Sequence, residues 1–93
     1  MIVGTAVFDL SLSGVNSLKE KRRILKSLLA RLHNRFNVSI SEVDHNDSLK
    51  TSQLGLAVVS NDKVHADRVI ATIFRIIESE PEINLVDYRV EML

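Results

Sequence analysis

Ile2-Val3-Gly4-Thr5-Ala6-Val7-Phe8-Asp9-Leu10-Ser11-Leu12 alternates without a break. Ile2, Gly4, Ala6, Phe8, Leu10 and Leu12 fall on one side, and Val3, Thr5, Val7, Asp9 and Ser11 on the other. A period of two over this length predicts a half-buried strand, whose two faces differ because one meets a core and one does not. Ser13-Gly14 ends the alternation, and Ser17-Leu18-Lys19-Glu20 then has the spacing of a capping box. In such a box the serine oxygen accepts from the N–H three residues on, and the glutamate reaches back to the cap.

Downstream the period changes to that of a helix. Leu18, Leu25, Leu28, Leu29, Leu32 and Phe36 form one apolar stripe with Ile24 at its edge, and 34–37 closes the helix. A short β-prone run at 38–43 follows, then a polar connection over 44–53 and a nearly continuous apolar strand over 54–60. Ser60-Asn61-Asp62 supplies N-cap candidates. The second helix carries Ala66, Val69, Ile70, Ile73, Phe74 and Ile77 on one stripe and stops before Pro81. A last strand, 83–93, places Val86, Tyr88, Val90 and Met92 on one face.

The order βαββαβ predicts an α+β, ferredoxin-like sandwich: a four-stranded antiparallel sheet with both helices on one face. At 93 residues the chain reads as a single domain, 1–93, large enough for one core. Its 45% hydrophobic and 26% charged residues are those of a globular protein and not of a disordered one. The absence of cysteine excludes disulfides, thiolate metal sites and thiol nucleophiles. The amino terminus has no cationic region, and Asp9 interrupts its apolar stretch, so neither a signal peptide nor a membrane association is expected. The expected location is the cytoplasm.

Twelve basic and twelve acidic residues cancel, but they are segregated along the chain. Residues 19–35 hold Lys19, Lys21, Arg22, Arg23, Lys26, Arg31 and Arg35 against Glu20 alone, a local charge of +6; the remainder carries −6. On a helical wheel Lys19, Arg22, Arg23, Lys26 and His33 share one arc, and Arg31 and Arg35 lie on the other flank. Cations in the first two turns oppose the helix dipole, at a cost of ~0.3–1 kcal/mol each at low salt. Free N–H groups beside Lys and Arg suit a phosphate, which makes an RNA backbone the expected polyanion. The same residues also fit a solvated helix face, because Lys and Arg are good helix formers. Lys21 falls within the apolar arc and must snorkel or find a carboxylate. Glu42, turned inward by the alternation that buries Val38 and Ile40, is its expected partner.

The sheet carries no base-stacking signal of an RNA-recognition motif: the first strand's outward residues include no aromatic, and the phenylalanines fall on core faces. Val3, Val7 and Val59 instead give the outward face an apolar character, which points to a homodimer through the sheet face or edge, or to a small-ligand regulatory domain. Glu42, Asp44, His45 and Asp47 form a secondary polar site at the end of the second strand. A metal-dependent activity there is a third reading, though the spacing matches no metal motif and Asp and Asn are ordinary turn formers. His33 and His65 lie on helix surfaces without catalytic partners, and neither a nucleophile elbow nor a glycine-rich phosphate loop is present. The expectation is a non-enzymatic binding module with no cofactor.

Four stretches taken together resemble the YlxP-like family of small bacterial proteins, also called domain of unknown function 503. They are 17–23 (SLKEKRR), 36–39 (FNVS), 42–47 (EVDHND) and 54–57 (LGLA). The resemblance spans nearly the whole chain and implies a ferredoxin-like fold. Genes of that family often lie beside those for ribosome-binding and translation-initiation factors, which implies a partner in ribosomal RNA or the small ribosomal subunit during its assembly. Motif by motif, the resemblance marks Lys19, Lys21, Arg22 and Arg23 as the contact set, with Lys26 added by the wheel, and His45 and Asp47 behind them. The family commonly has a tryptophan shortly after the motif at 44–47; Ser48-Leu49-Lys50 stands in that place here.

Overall fold

The computed structural model describes all residues, Met1–Leu93. The elements run β1 (Ile2–Ser11), α1 (Leu18–Arg35), β2 (Ser39–Asp44), β3 (Thr51–Ser60), α2 (Lys63–Glu78) and β4 (Asn84–Met92). The sheet order is β2-β3-β1-β4, antiparallel at every pairing, which is the ferredoxin-like arrangement of a βαββαβ chain. One face of the sheet receives both helices. Ala6, Phe8 and Leu10 of β1 and Leu54, Leu56 and Val58 of β3 are buried there against Leu25, Leu28 and Leu32 of α1 and Ile70, Ile73 and Ile77 of α2. Gly4 lets α2 approach: a Cβ in its place would lie 3.1 Å from Ile70 Cδ1 and 3.2 Å from both Met92 Sδ and Val58 Cγ1.

The helix starts follow from their caps. Ser17 Oγ accepts from the Glu20 N–H at 3.1 Å, and Asp62 Oδ1 accepts from the Val64 N–H at 3.0 Å. The Phe36 N–H closes α1 onto Leu32 O, and Pro81 follows the Ser79 cap of α2. Phe8 is fully buried, whereas Phe36 and Phe74, placed by their spacing on core faces, are only partly buried at the core's margin.

Three strands differ in detail from what the periodicity gives. β3 begins at Thr51, so most of the polar connection's second half is strand. Ser52 is 1% exposed opposite Leu10 and donates to Glu42 Oε2 at 2.6 Å, while Gln53 donates to Asp9 Oδ1 at 2.8 Å. Polar side chains sit in this strand because each has a partner across the sheet, information that hydropathy does not carry. β2 is shifted by one residue and holds a bulge, with Glu42 opposite Leu54 and Asp44 opposite Gln53, leaving Val43 unpaired. A second bulge in β4 sets Asp87 opposite Asp9 and Leu85 opposite Leu10, which skips Val86. Val86, 67% exposed, therefore leaves the stripe of Tyr88, Val90 and Met92, and Leu85 packs against the core instead.

Candidate nucleic-acid interface

α1 is attached to the sheet by an apolar ridge and one charged post. Ile24, Leu25, Leu28 and Leu32 are buried in the core, and between them and the helix start stands Lys21, 1% exposed. Its Nζ lies 3.1 Å from Glu42 Oε2 and donates to His45 O at 2.7 Å and Ser48 O at 2.6 Å. Two of the ammonium's three N–H donors go to these carbonyls, and the Glu42 carboxylate beside it balances its charge. Burying that charge would otherwise be prohibitive. The same Glu42 oxygen accepts from Ser52, so β2, β3, α1 and the 45–50 loop meet at one carboxylate.

This placement confirms the ion pair expected between Lys21 and Glu42 and corrects the assignment of Lys21 as a phosphate contact. An ammonium 1% exposed, held by two carbonyls and a carboxylate, offers no surface to a ligand; Lys21 positions the helix. The other four cations differ in every respect. Lys19, Arg22, Arg23 and Lys26 are exposed, make no ion pair and donate no hydrogen bond within the fold. Most of the remaining cations are engaged. Arg31 binds Glu80 at 2.6 Å, a hydrogen bond that holds its guanidinium above the ordinary arginine value. Arg35 stacks 5.1 Å from the Phe36 ring centroid, and Arg89 lies 3.6 Å from Asp9. Lys50 donates to Ser13 O and Val15 O, tying the β1–α1 loop to the start of β3.

Arg22, Lys26 and His33 border an open cleft of about 370 Å³ between α1 and the β2 edge, floored by Leu25 and Leu29 with Glu42 at its base. Lys19 and Arg23 lie further round the helix, on the outer crest. The result is a cationic strip along the first two turns, with free backbone N–H groups at its head.

The secondary polar site does not close into a ligand shell. Asp44, His45 and Asp47 are exposed, Asp44 Oδ1 accepts from the His45 N–H at 2.7 Å, and Glu42 is spent on Lys21 and Ser52. No three His, Asp or Glu side chains converge on a common point. His45 takes φ 63°, the left-handed region, which turns its carbonyl toward Lys21. The motif thus shapes a turn whose carbonyls, more than its side chains, have an identifiable use. Sequence reasoning missed that use, together with the tie made by Lys50; a lone cation in a polar stretch gives no sign of which carbonyls it will cap. Leu49, at the place of the family tryptophan, is half-buried against the core.

No helix is long and apolar enough to cross a membrane. The family model described as "Protein of unknown function (DUF503)" matches residues 3–90. A relative from Bacillus subtilis (strain 168), "Uncharacterized protein YlxP", is 37% identical over 90 residues, covering 97% of this chain and 98% of the relative.

Proposed function

The chain belongs to the DUF503 family, and from that premise we propose that it is a non-enzymatic, cytoplasmic binding module whose helix α1 docks on RNA backbone. The RNA is ribosomal, bound in the context of small-subunit maturation. One observation carries the reading: Lys19, Arg22, Arg23 and Lys26, within two turns of one helix, are left without any partner in the fold. Lys63 and Arg68, also unpartnered, stand on α2 and build no comparable cluster. A protein that needed these charges only for its own stability would pair them or place them away from a helix N-terminus, where they oppose the dipole. A phosphate chain reverses that sign, bringing anions to the four cations and to the free N–H groups at once.

The bound bases are not stacked on the sheet, whose outward residues on β1 are Val3, Thr5, Val7 and Asp9. Contacts of this kind read charge and shape, so affinity falls with salt at a log–log slope of about −0.7 to −0.9 per phosphate neutralised. Four contacts give a slope of about −3 to −4. The test is co-sedimentation with small ribosomal subunits at low and moderate salt, beside a variant with Lys19, Arg22, Arg23 and Lys26 changed to Gln. Salt-sensitive binding that disappears in the folded variant is the expected result. Absence of binding at low salt, or binding that the variant retains, overturns the proposal.

A further inference from the structure

The cleft between α1 and the β2 edge has features that phosphate contacts along the helix leave unexplained. Its floor is apolar, made by Leu25, Leu29 and Ala30. Its rim is cationic: Arg22 and Lys26, one turn apart, have no partner in the fold, and His33 stands about 10 Å beyond Lys26 along the helix axis. Its base holds an acceptor. Glu42 makes both of its contacts, to Lys21 and to Ser52, through Oε2. Oε1 makes none, yet the fold buries no polar side-chain atom without a partner, so Oε1 is open to solvent. This is the one cleft of the molecule that Glu42 lines. Lys21 balances the carboxylate's charge, so Glu42 does not turn an anion away from the rim.

The other half of the fold shows that this combination does not come with the architecture. The corresponding cleft between α2 and β4, about 310 Å³, is lined by Ile70, Ala71, Phe74, Tyr88 and Val90, with Asp67 as its one charged residue. It has no cation on its rim. We infer that the α1–β2 cleft takes one base of the bound RNA, turned out of its strand. The adjoining phosphate lies on Arg22 and Lys26, and an exocyclic amino group of the base donates to Glu42 Oε1. This inference rests on the RNA reading above and adds to it a preference among bases.

Each part of a nucleotide meets the surface it needs. The faces of an unstacked base are apolar and suit the floor. The phosphate suits the rim. A carboxylate accepts from the amino group of cytosine, and adenine and guanine carry one as well. Uracil has carbonyl oxygens on both sides of its N3–H, which a carboxylate repels. At about 370 Å³ the cleft is at the lower end of small-ligand sites, room for one nucleotide. An aliphatic or acidic side chain of a protein partner would bring Oε1 no donor and would strand it away from water.

NMR titration of the whole chain with adenosine, cytidine and uridine 5′-monophosphate, at matched ionic strength and up to about 10 mM, tests it. The adenosine and cytidine nucleotides are expected to shift the methyl signals of Leu29 and Ala30, and the uridine nucleotide to bind at least about tenfold more weakly, for want of a hydrogen bond to a charged acceptor. Inorganic phosphate is expected to move Arg22 and Lys26 alone. Ala30 is exposed, so Ala30→Trp is expected to keep the melting curve while filling the cleft and abolishing the nucleotide shifts. Nucleotides that leave Leu29 and Ala30 unmoved overturn the inference, as does uridine binding equal to that of adenosine and cytidine. A parent chain that sediments with small subunits while its cleft ignores nucleotides fails this inference alone. Cleft shifts without sedimentation fail the RNA proposal alone.

Discussion

The two halves of this fold, β1-α1-β2 and β3-α2-β4, solve the same packing problem by different means. Each lays a helix over the sheet and against an edge strand. α2 buries Ala66, Ile70, Ile73 and Ile77 and meets its edge strand through an aromatic contact, Phe74 to Tyr88, with ring centroids 4.6 Å apart. α1 buries Ile24, Leu25, Leu28 and Leu32 as well, but meets its edge strand through the Lys21–Glu42 ion pair. Apolar contact is non-directional and leaves a helix free to adjust. Two carbonyl hydrogen bonds and an ion pair on one ammonium fix a position. The half with the directional attachment is also the half with the cluster of four unpaired cations, and a fixed helix holds that cluster in one position.

The contrast can be broken on either side. In the apolar half, Ile73→Ala removes a fully buried side chain from the middle of α2 and is expected to cost about 4 kcal/mol, measured by urea unfolding. In the polar half, Glu42→Ala strands the Lys21 ammonium in the interior and is expected to cost about 3 kcal/mol, because an uncompensated buried charge is worse than a lost contact. The double change with Lys21→Met is expected to be more stable than Glu42→Ala alone. A double variant as unstable as the sum of its parts would show that the two residues do not act as a pair.

A smaller effect sharpens the comparison and carries the opposite sign. Lys19 occupies the first turn of α1, where a cation opposes the dipole, as Lys63 does in α2 beside the Asp62 cap, whose charge favours it. Lys19→Glu is expected to stabilise the fold by about 0.5 kcal/mol in thermal unfolding at low salt while weakening RNA binding. A variant that loses stability and binding together would show that Lys19 is structural.

Much of this arrangement is legible in the residues. The ion pair comes from two periodicities read together: the wheel places Lys21 in the apolar arc, and the alternation of Val38, Ile40 and Glu42 turns the carboxylate inward to meet it. The cationic arc comes from the same wheel. The bulges at Val43 and Val86 do not, since a bulge is a mismatch between two strands and neither strand carries it alone. Nor does the polar start of β3, where Ser52 and Gln53 join the sheet on the strength of partners at Glu42 and Asp9. For the same reason the 42–47 motif reads as a polar site but folds into a turn that serves Lys21.

By itself, then, the sequence determined the order of strands and helices, the antiparallel α+β sandwich and the segregation of charge onto the first helix. Those properties are local: a period of two or of 3.6, a cap, a proline and a count of charges are complete within a few residues. Tertiary structure alone decided which cations are free. Lys19, Lys21 and Arg22 are neighbours of similar chemistry, yet Lys21 is consumed by a carboxylate and two carbonyls that lie between 21 and 27 positions away along the chain. Whether a charge faces water or a buried acceptor depends on which distant groups the fold brings within about 3 Å, and hydrogen bonds are too short-ranged for a neighbour in sequence to report it.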